Sequence, residues 1–162
     1  MNSHNSFEKD AHFMRLALQQ ARLAAEVDEV PVGAVVVLDG AVIASAHNKQ
    51  ICLNNPTGHA EILAIELAAD KLQNYRLPGC SLYVTLEPCL MCVGAMIHAR
   101  IDRLIFAASD PKTGMVDTVD QQFNKPYHNH RIQSQGGVLE APCKQLLQDF
   151  FRGKRALKKP KN

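Results

Sequence analysis

Val32-Gly-Ala-Val-Val-Val-Leu38, then Asp39-Gly40 and, after Ala41, Val42-Ile-Ala-Ser-Ala46, form the stretch from which the fold is read. Two apolar runs around an Asp-Gly dipeptide predict a β-hairpin. A two-residue turn with both residues at positive φ matches the twist of the flanking strands, and Asp-Gly tolerates that geometry. On the N-terminal side, from Asp10 to about Glu26, the residues Phe13, Leu16, Ala17, Gln20 and Ala24 share one stripe at helical spacing. On the C-terminal side helices and strands alternate. Thr57 is placed to cap a helix from about Gly58 to Leu72, because its hydroxyl can satisfy a first-turn amide. Ser81–Leu86 is a third strand, rich in β-formers. Pro88 suits the first turn of the next helix, where its missing N–H costs nothing, and that helix runs to about Ala99. Arg103–Ala108 reads as a fourth strand, Gly137–Glu140 as a fifth, and Ala141 to about Leu157 as a last helix. A hairpin followed by this alternation predicts an α/β fold. Its three layers, α/β/α, enclose a central mixed five-stranded sheet covered on both faces. The irregular stretch from Ser109 to Gln135 stands out, since connections this long are usually functional or disordered.

A length of 162 residues suits one domain with its own core, and the chain has no internal repeat or Pro/Gly linker. The expectation is a single domain over 1–162. No apolar stretch approaches the roughly 20 residues needed to cross a bilayer. The polar start from Met1 to Asp10, with Glu8 and Asp10, lacks the basic and apolar pattern of a secretory signal, so a cytoplasmic location is expected. Five cysteines, an odd number, fit a disulfide framework poorly. Cys52, Cys80 and Cys143 have no partner at ligand spacing and read as buried or semi-exposed thiols. The net charge of +2 hides an asymmetry. From Phe150 to Asn162 there are six basic residues and no acidic ones, which leaves 12 basic against 16 acidic residues elsewhere. A basic end on an acidic body is a pattern that suits a polyanion met at one place.

The chemistry resides in Thr57-Gly-His-Ala-Glu61 and Pro88-Cys-Leu-Met-Cys92. Cys89 and Cys92 lie three apart at a helix start, so both sulfurs share one face. Helix amides there favour the thiolate that a metal needs. His59, at another helix start, supplies an imidazole. Two thiolates and one imidazole leave a tetrahedral Zn²⁺ with an open corner for water, the pattern of a catalytic site rather than a structural one. Zinc lowers the pKa of a bound water from about 16 to about 7. Glu61, two residues beyond His59, is near enough to take a proton and deliver it elsewhere. Each piece alone has a plainer meaning. A single CxxC is also a redox pair or half of a zinc finger, and a first-turn Glu is often dipole compensation. No thioredoxin-like context or fourth ligand at finger spacing accompanies these residues.

The pattern HAE…PCxxC resembles the zinc-dependent nucleobase deaminases, the cytidine/deoxycytidylate deaminase superfamily. More closely, the chain is similar to the bacterial tRNA-specific adenosine deaminases. The matching pieces are Pro31-Val-Gly-Ala34, Ala46-His-Asn48, Pro56-Thr-Gly-His-Ala-Glu61, Leu82 through His98, Asp110-Pro-Lys-Thr-Gly114, Asn129-His-Arg131 and Asp149-Phe-Phe-Arg152. The chain departs from the usual pattern at Gly58, Ala107 and Tyr127-His128. The resemblance implies a cytidine-deaminase-like fold and one Zn²⁺ per chain held by His59, Cys89 and Cys92. It further implies Glu61 as proton carrier, and hydrolysis of the wobble adenosine of a tRNA anticodon loop to inosine by a homodimer. By position, Asn48 would meet the purine edge, and the backbone amides at Ala60 and around Cys89 would steady developing charge. Lys112, Asn129, His130, Arg131 and Arg152 would be candidate RNA contacts. Two other readings stand beside this one: a free-base deaminase (guanine or cytosine) with the same metal chemistry, and a non-catalytic RNA-binding subunit with structural zinc.

Overall fold

The computed structural model describes residues 3–158. Lys159 and Lys161 of the basic end lie outside the described residues. Helix α1 (Ser3–Glu26) precedes β1 (Gly33–Leu38) and β2 (Ala41–His47). Then come α2 (Ala60–Leu72), β3 (Ser81–Leu86), α3 (Leu90–Ala99), β4 (Arg103–Ala108), β5 (Gln133–Gln135) and α4 (Glu140–Lys158). The sheet order is β2-β1-β3-β4-β5. β1 is antiparallel to β2 and to β3, whereas β3–β4 and β4–β5 are parallel, so the sheet is mixed as expected.

The hairpin forms as the Asp-Gly signal predicts: Leu38 pairs with Ala41, and Asp39 and Gly40 both take positive φ, 51° and 76°. The central strands are apolar throughout because both faces are covered. Ala34, Val36, Leu82, Val84, Leu104 and Phe106 join the core beneath α2 and α3, while Val35, Val37, Tyr83, Ile105 and Ala107 join the core beneath α1 and α4. This period-two alternation divides one sheet between two cores. Gly33 is required where α1 crosses β1: a Cβ there would sit 2.0 Å from the Ala17 carbonyl oxygen.

Several boundaries differ from the sequence expectation. α1 starts at Ser3, seven residues earlier than the predicted Asp10, and its buried stripe is Met14, Ala17, Leu18, Ala21 and Ala24, with Phe13 and Leu16 at its margin. The fifth strand is Gln133–Gln135, not Gly137–Glu140. Gly136 and Gly137 end the pairing: the Gly136 Cα packs against the Phe106 ring, and Gly137 takes φ 88°. Val138 is buried by packing rather than by strand pairing. Pro88 stands before the N-cap of α3, which is Cys89, instead of within its first turn. Thr57 does not cap α2, because its hydroxyl donates to Asn55 Oδ1 at 2.8 Å.

Candidate metal and active site

β2 and β3 flank β1, and the helices that follow them, α2 and α3, pack side by side on one face of the sheet. Their N-termini therefore meet at one end of the sheet. His59 is the N-cap of α2, Cys89 is the N-cap of α3, and Cys92 lies in the first turn of α3. His59 Nδ1 is 3.5 Å from each sulfur, and the sulfurs are 3.8 Å apart. A tetrahedral zinc with Zn–S of about 2.3 Å and Zn–N of about 2.0–2.1 Å spaces its ligands about 3.8 Å (S···S) and about 3.5 Å (N···S) apart. The donor set and its spacing therefore fit the ion, with Nδ1 as the imidazole donor. Among the described residues this is the group of His, Cys and acidic side chains whose ligand atoms converge, all within 4.8 Å.

The electrostatics agree with a cation site. The hydrogen bond shared with Cys92 pushes the Cys89 thiol down to about 4, with help from His59. The same hydrogen bond, together with burial, holds Cys92 well above the usual thiol range. A divalent cation bound here would favour the thiolate form of both sulfurs, so its binding would release protons. Contact with Cys89 raises His59. Glu61 is 4 % exposed, and burial lifts its carboxyl above the ordinary range. A carboxyl moved toward neutrality is suited to accept and return a proton.

Asn48, at the end of β2, supplies the cap that Thr57 does not: its Oδ1 accepts the Ala60 N–H at 2.8 Å. The Ala60 amide is therefore engaged by a side chain that itself borders the cavity. Asn48 itself is buried and lines the cavity over the site.

That cavity measures about 780 Å³. Asn48, His59, Glu61 and Cys89 lie on one side, Ser109–Thr113 form a wall, and α4 contributes Lys144, Leu147, Gln148, Phe151 and Arg155. The wall is ordered from within by Glu87, whose carboxylate is 2 % exposed and accepts N–H groups from Asp110, Val116, Asp117 and Thr118 at 2.8–3.1 Å. Burial alone would raise this carboxyl, yet those donors bring it below the usual range.

Of the expected site residues, the structure brings together Asn48, His59, Glu61, Cys89, Cys92 and, on the wall, Lys112. Asn129, His130 and Arg131 lie outside the cavity lining, and their side chains make contacts within the fold. Asn129 Oδ1 accepts from Arg100, the His130 ring contacts the Ile101 carbonyl at 2.7 Å, and Arg131 donates to the carbonyls of Phe123 and Lys125. Arg152 is exposed, 3.6 Å from Asp149 on its own helix. Sequence reasoning missed Glu87, Lys144, Phe151 and Arg155. A signal for Glu87 was present: an acid at the end of an apolar strand, before Pro-Cys, must find donors. The α4 residues carry a signal too, since positions 144, 148, 151 and 155 form one helical stripe.

With the geometry established, comparison with known proteins defines the class. The MafB19-like deaminase family model matches residues 8–155, and the chain belongs to that family. A tRNA-specific adenosine deaminase of Agrobacterium fabrum is 50% identical over 144 residues, which cover 89% of this chain and 95% of that one. A tRNA-specific adenosine deaminase of Haemophilus influenzae is 46% identical, covering 94% and 88%. Among solved structures, one from studies of A-to-I editing by tRNA:A34 deaminases superposes with a TM-score of 0.82 at 49% identity, covering 84% of this chain and 99% of that one. Guanine deaminase from Nitrosomonas europaea superposes at 0.73 with 27% identity, covering 86% and 83%. The fold is thus cytidine-deaminase-like, as the sequence resemblance implied.

Proposed function

We propose that this chain converts the wobble adenosine of a tRNA anticodon to inosine by hydrolysis, with one zinc ion held by His59, Cys89 and Cys92. The observation that carries the reading is the triangle of one Nδ1 and two sulfurs beside a buried Glu61, at the floor of a cavity large enough for a nucleotide and its neighbours. Sites for small molecules span roughly 300–1,000 Å³, and this one lies toward the upper end. Relatives at 46–50% identity that carry the tRNA-specific name favour a polynucleotide over a free base.

Zinc, when bound, supplies a water made acidic near neutrality. The Glu61 carboxylate takes a proton from the attacking water and delivers it to ring N1 as the oxygen joins C6. A second proton, carried by Glu61 to the exocyclic amine, lets the C6–N bond break, so ammonia leaves and the C6 carbonyl remains. Without that relay the leaving group would be an amide anion. Asn48 fixes the start of α2 through Ala60, and thereby the placing of His59 and Glu61. Lys112, Lys144 and Arg155 at the cavity rim meet phosphates, which carry much of the affinity of such complexes. Extruding a loop base into the cavity costs little, because loop bases are poorly stacked. The working enzyme is a homodimer in the cytoplasm; no helix of the described residues is long and apolar enough to cross a membrane.

The deciding assay sets inosine formation in an anticodon stem-loop against ammonia release from free guanine, cytosine and adenine. Inosine in the stem-loop with no turnover of free bases is expected. Rapid turnover of a free base reverses the assignment, and tight RNA binding with no product would favour a non-catalytic subunit.

A further inference from the structure

We propose that Glu87 is a positioning residue that fixes the substrate-facing wall Ser109–Thr113 relative to the metal-ligand turn Pro88–Cys89. It thereby sets how firmly the enzyme grips its polynucleotide. The inference deepens the function above and rests on it.

Glu87 closes β3, and its own N–H donates to the Ala108 carbonyl at 2.8 Å, so its backbone is pinned where β3 and β4 end together. Its side chain then collects the chain that follows β4. Oε1 accepts the Asp110 N–H at 3.1 Å and the Thr118 hydroxyl. Oε2 accepts N–H groups of Val116, Asp117 and Thr118 at 3.1, 2.8 and 3.0 Å. Five donors exceed the roughly four lone-pair positions of one carboxylate, so both oxygens are fully used. The chain of contacts continues outward: the Asp110 carboxylate accepts the Lys112 and Thr113 amides and the Thr113 hydroxyl. Lys112 and Thr113 line the cavity. A second tie runs from the Met115 N–H to the Pro88 carbonyl, one residue before the Cys89 ligand.

Gly114 marks how closely the wall is drawn onto this carboxylate. A Cβ there would lie 2.4 Å from Glu87 Cδ and Oε1 and 2.6 Å from the Asp110 carbonyl oxygen. An apolar side chain at position 87 would fill the same volume but leave the buried Val116 amide and its neighbours without an acceptor. Glu87 borders the cavity, but both of its carboxylate oxygens are engaged by residues 110–118, so its effect on the substrate passes through Ser109–Thr113.

Two substitutions press on the wall from opposite sides. Glu87→Gln is isosteric but turns an N–H toward existing donors whichever way the amide lies; Gly114→Ala pushes the wall outward. The zinc-loaded full chain is assayed on an anticodon stem-loop for kcat and KM, with zinc content and amide hydrogen exchange measured alongside. Each variant should keep one zinc per chain and raise KM by about tenfold, while kcat changes by less than about threefold. Faster exchange should be confined to residues 109–118. The double variant should be no worse than the more severe single one, because both release the same wall. If Glu87→Gln does not fold, Thr118→Val removes one donor from the same carboxylate and should raise KM by about two- to threefold. Loss of zinc, a fall in kcat at unchanged KM, or fully additive effects overturns the proposal. Wild-type protein that makes no inosine in the stem-loop instead strikes the functional reading, while the exchange pattern still tests the anchoring by itself.

Discussion

Glu61 is held in a position where its charge is disfavoured: it is 4 % exposed, and burial lifts its carboxyl above the ordinary range. Such a placement is costly for stability and useful for moving protons. Glu61→Gln keeps the shape and the neighbouring ligands. The variant should therefore fold, retain zinc by metal analysis, and form inosine about 10³-fold more slowly, within the range typical of a lost general base. Inosine yields within tenfold of wild type would rule out Glu61 as the proton carrier. His59 contributes through one atom only: both sulfurs face Nδ1, which leaves Nε2 outside the ligand triangle.

At the scale of elements, two helix starts and one close crossing decide whether the site exists. α1 lies on β1 only because position 33 has no side chain. Gly33→Ala should cost about 2–3 kcal/mol, the penalty of forcing atoms into a packed core, and lower Tm by about 4–12 °C in a thermal melt. An unchanged Tm would mean that α1 is free to lift. α4 presents Lys144, Gln148, Phe151 and Arg155 along one stripe facing the cavity. Lys144→Ala should weaken stem-loop binding by about three- to tenfold and reduce the slope of log affinity against log salt by about 0.7–1, with zinc content unaffected. A slope identical to wild type would remove Lys144 from the phosphate contacts.

The molecule as a whole joins two cores through one sheet, and Cys92, with Cys89 packed alongside, belongs to the core beneath α2 and α3. His59 and Cys89 are 30 residues apart and meet only in the folded chain. An ion that binds the folded state and not the unfolded one stabilises by mass action, about 4 kcal/mol at a thousandfold excess over Kd. Chelation should therefore lower Tm by roughly 8–16 °C, and stoichiometric zinc should restore it along with activity. A melt indifferent to chelator would mean that the triangle is preformed and the ion contributes nothing to the fold.

Much was legible before any coordinates. The Asp39-Gly40 turn, the apolar strands and the HAE and PCxxC motifs are local signals, carried by turn chemistry, period and ligand type, and each gives its reading within a few residues. The signals that misled were local as well: Thr57 looks like a cap and Gly137–Glu140 like a strand. A distant partner decided otherwise in each case, Asn48 by capping α2 across the β2 end and Gly136 by packing on Phe106. The partners of Asn129, His130 and Arg131 are equally distant from anything the local sequence shows: the fold supplies them with carbonyls and a neighbouring guanidinium. By itself the amino-acid order determined the layers and the candidate metal donors, because those depend on side-chain type and spacing. How deeply Glu61 is buried, which amides Glu87 collects, and which cations face the cavity were decided only in three dimensions, because a carboxylate's surroundings are set by the donors and water the fold leaves around it.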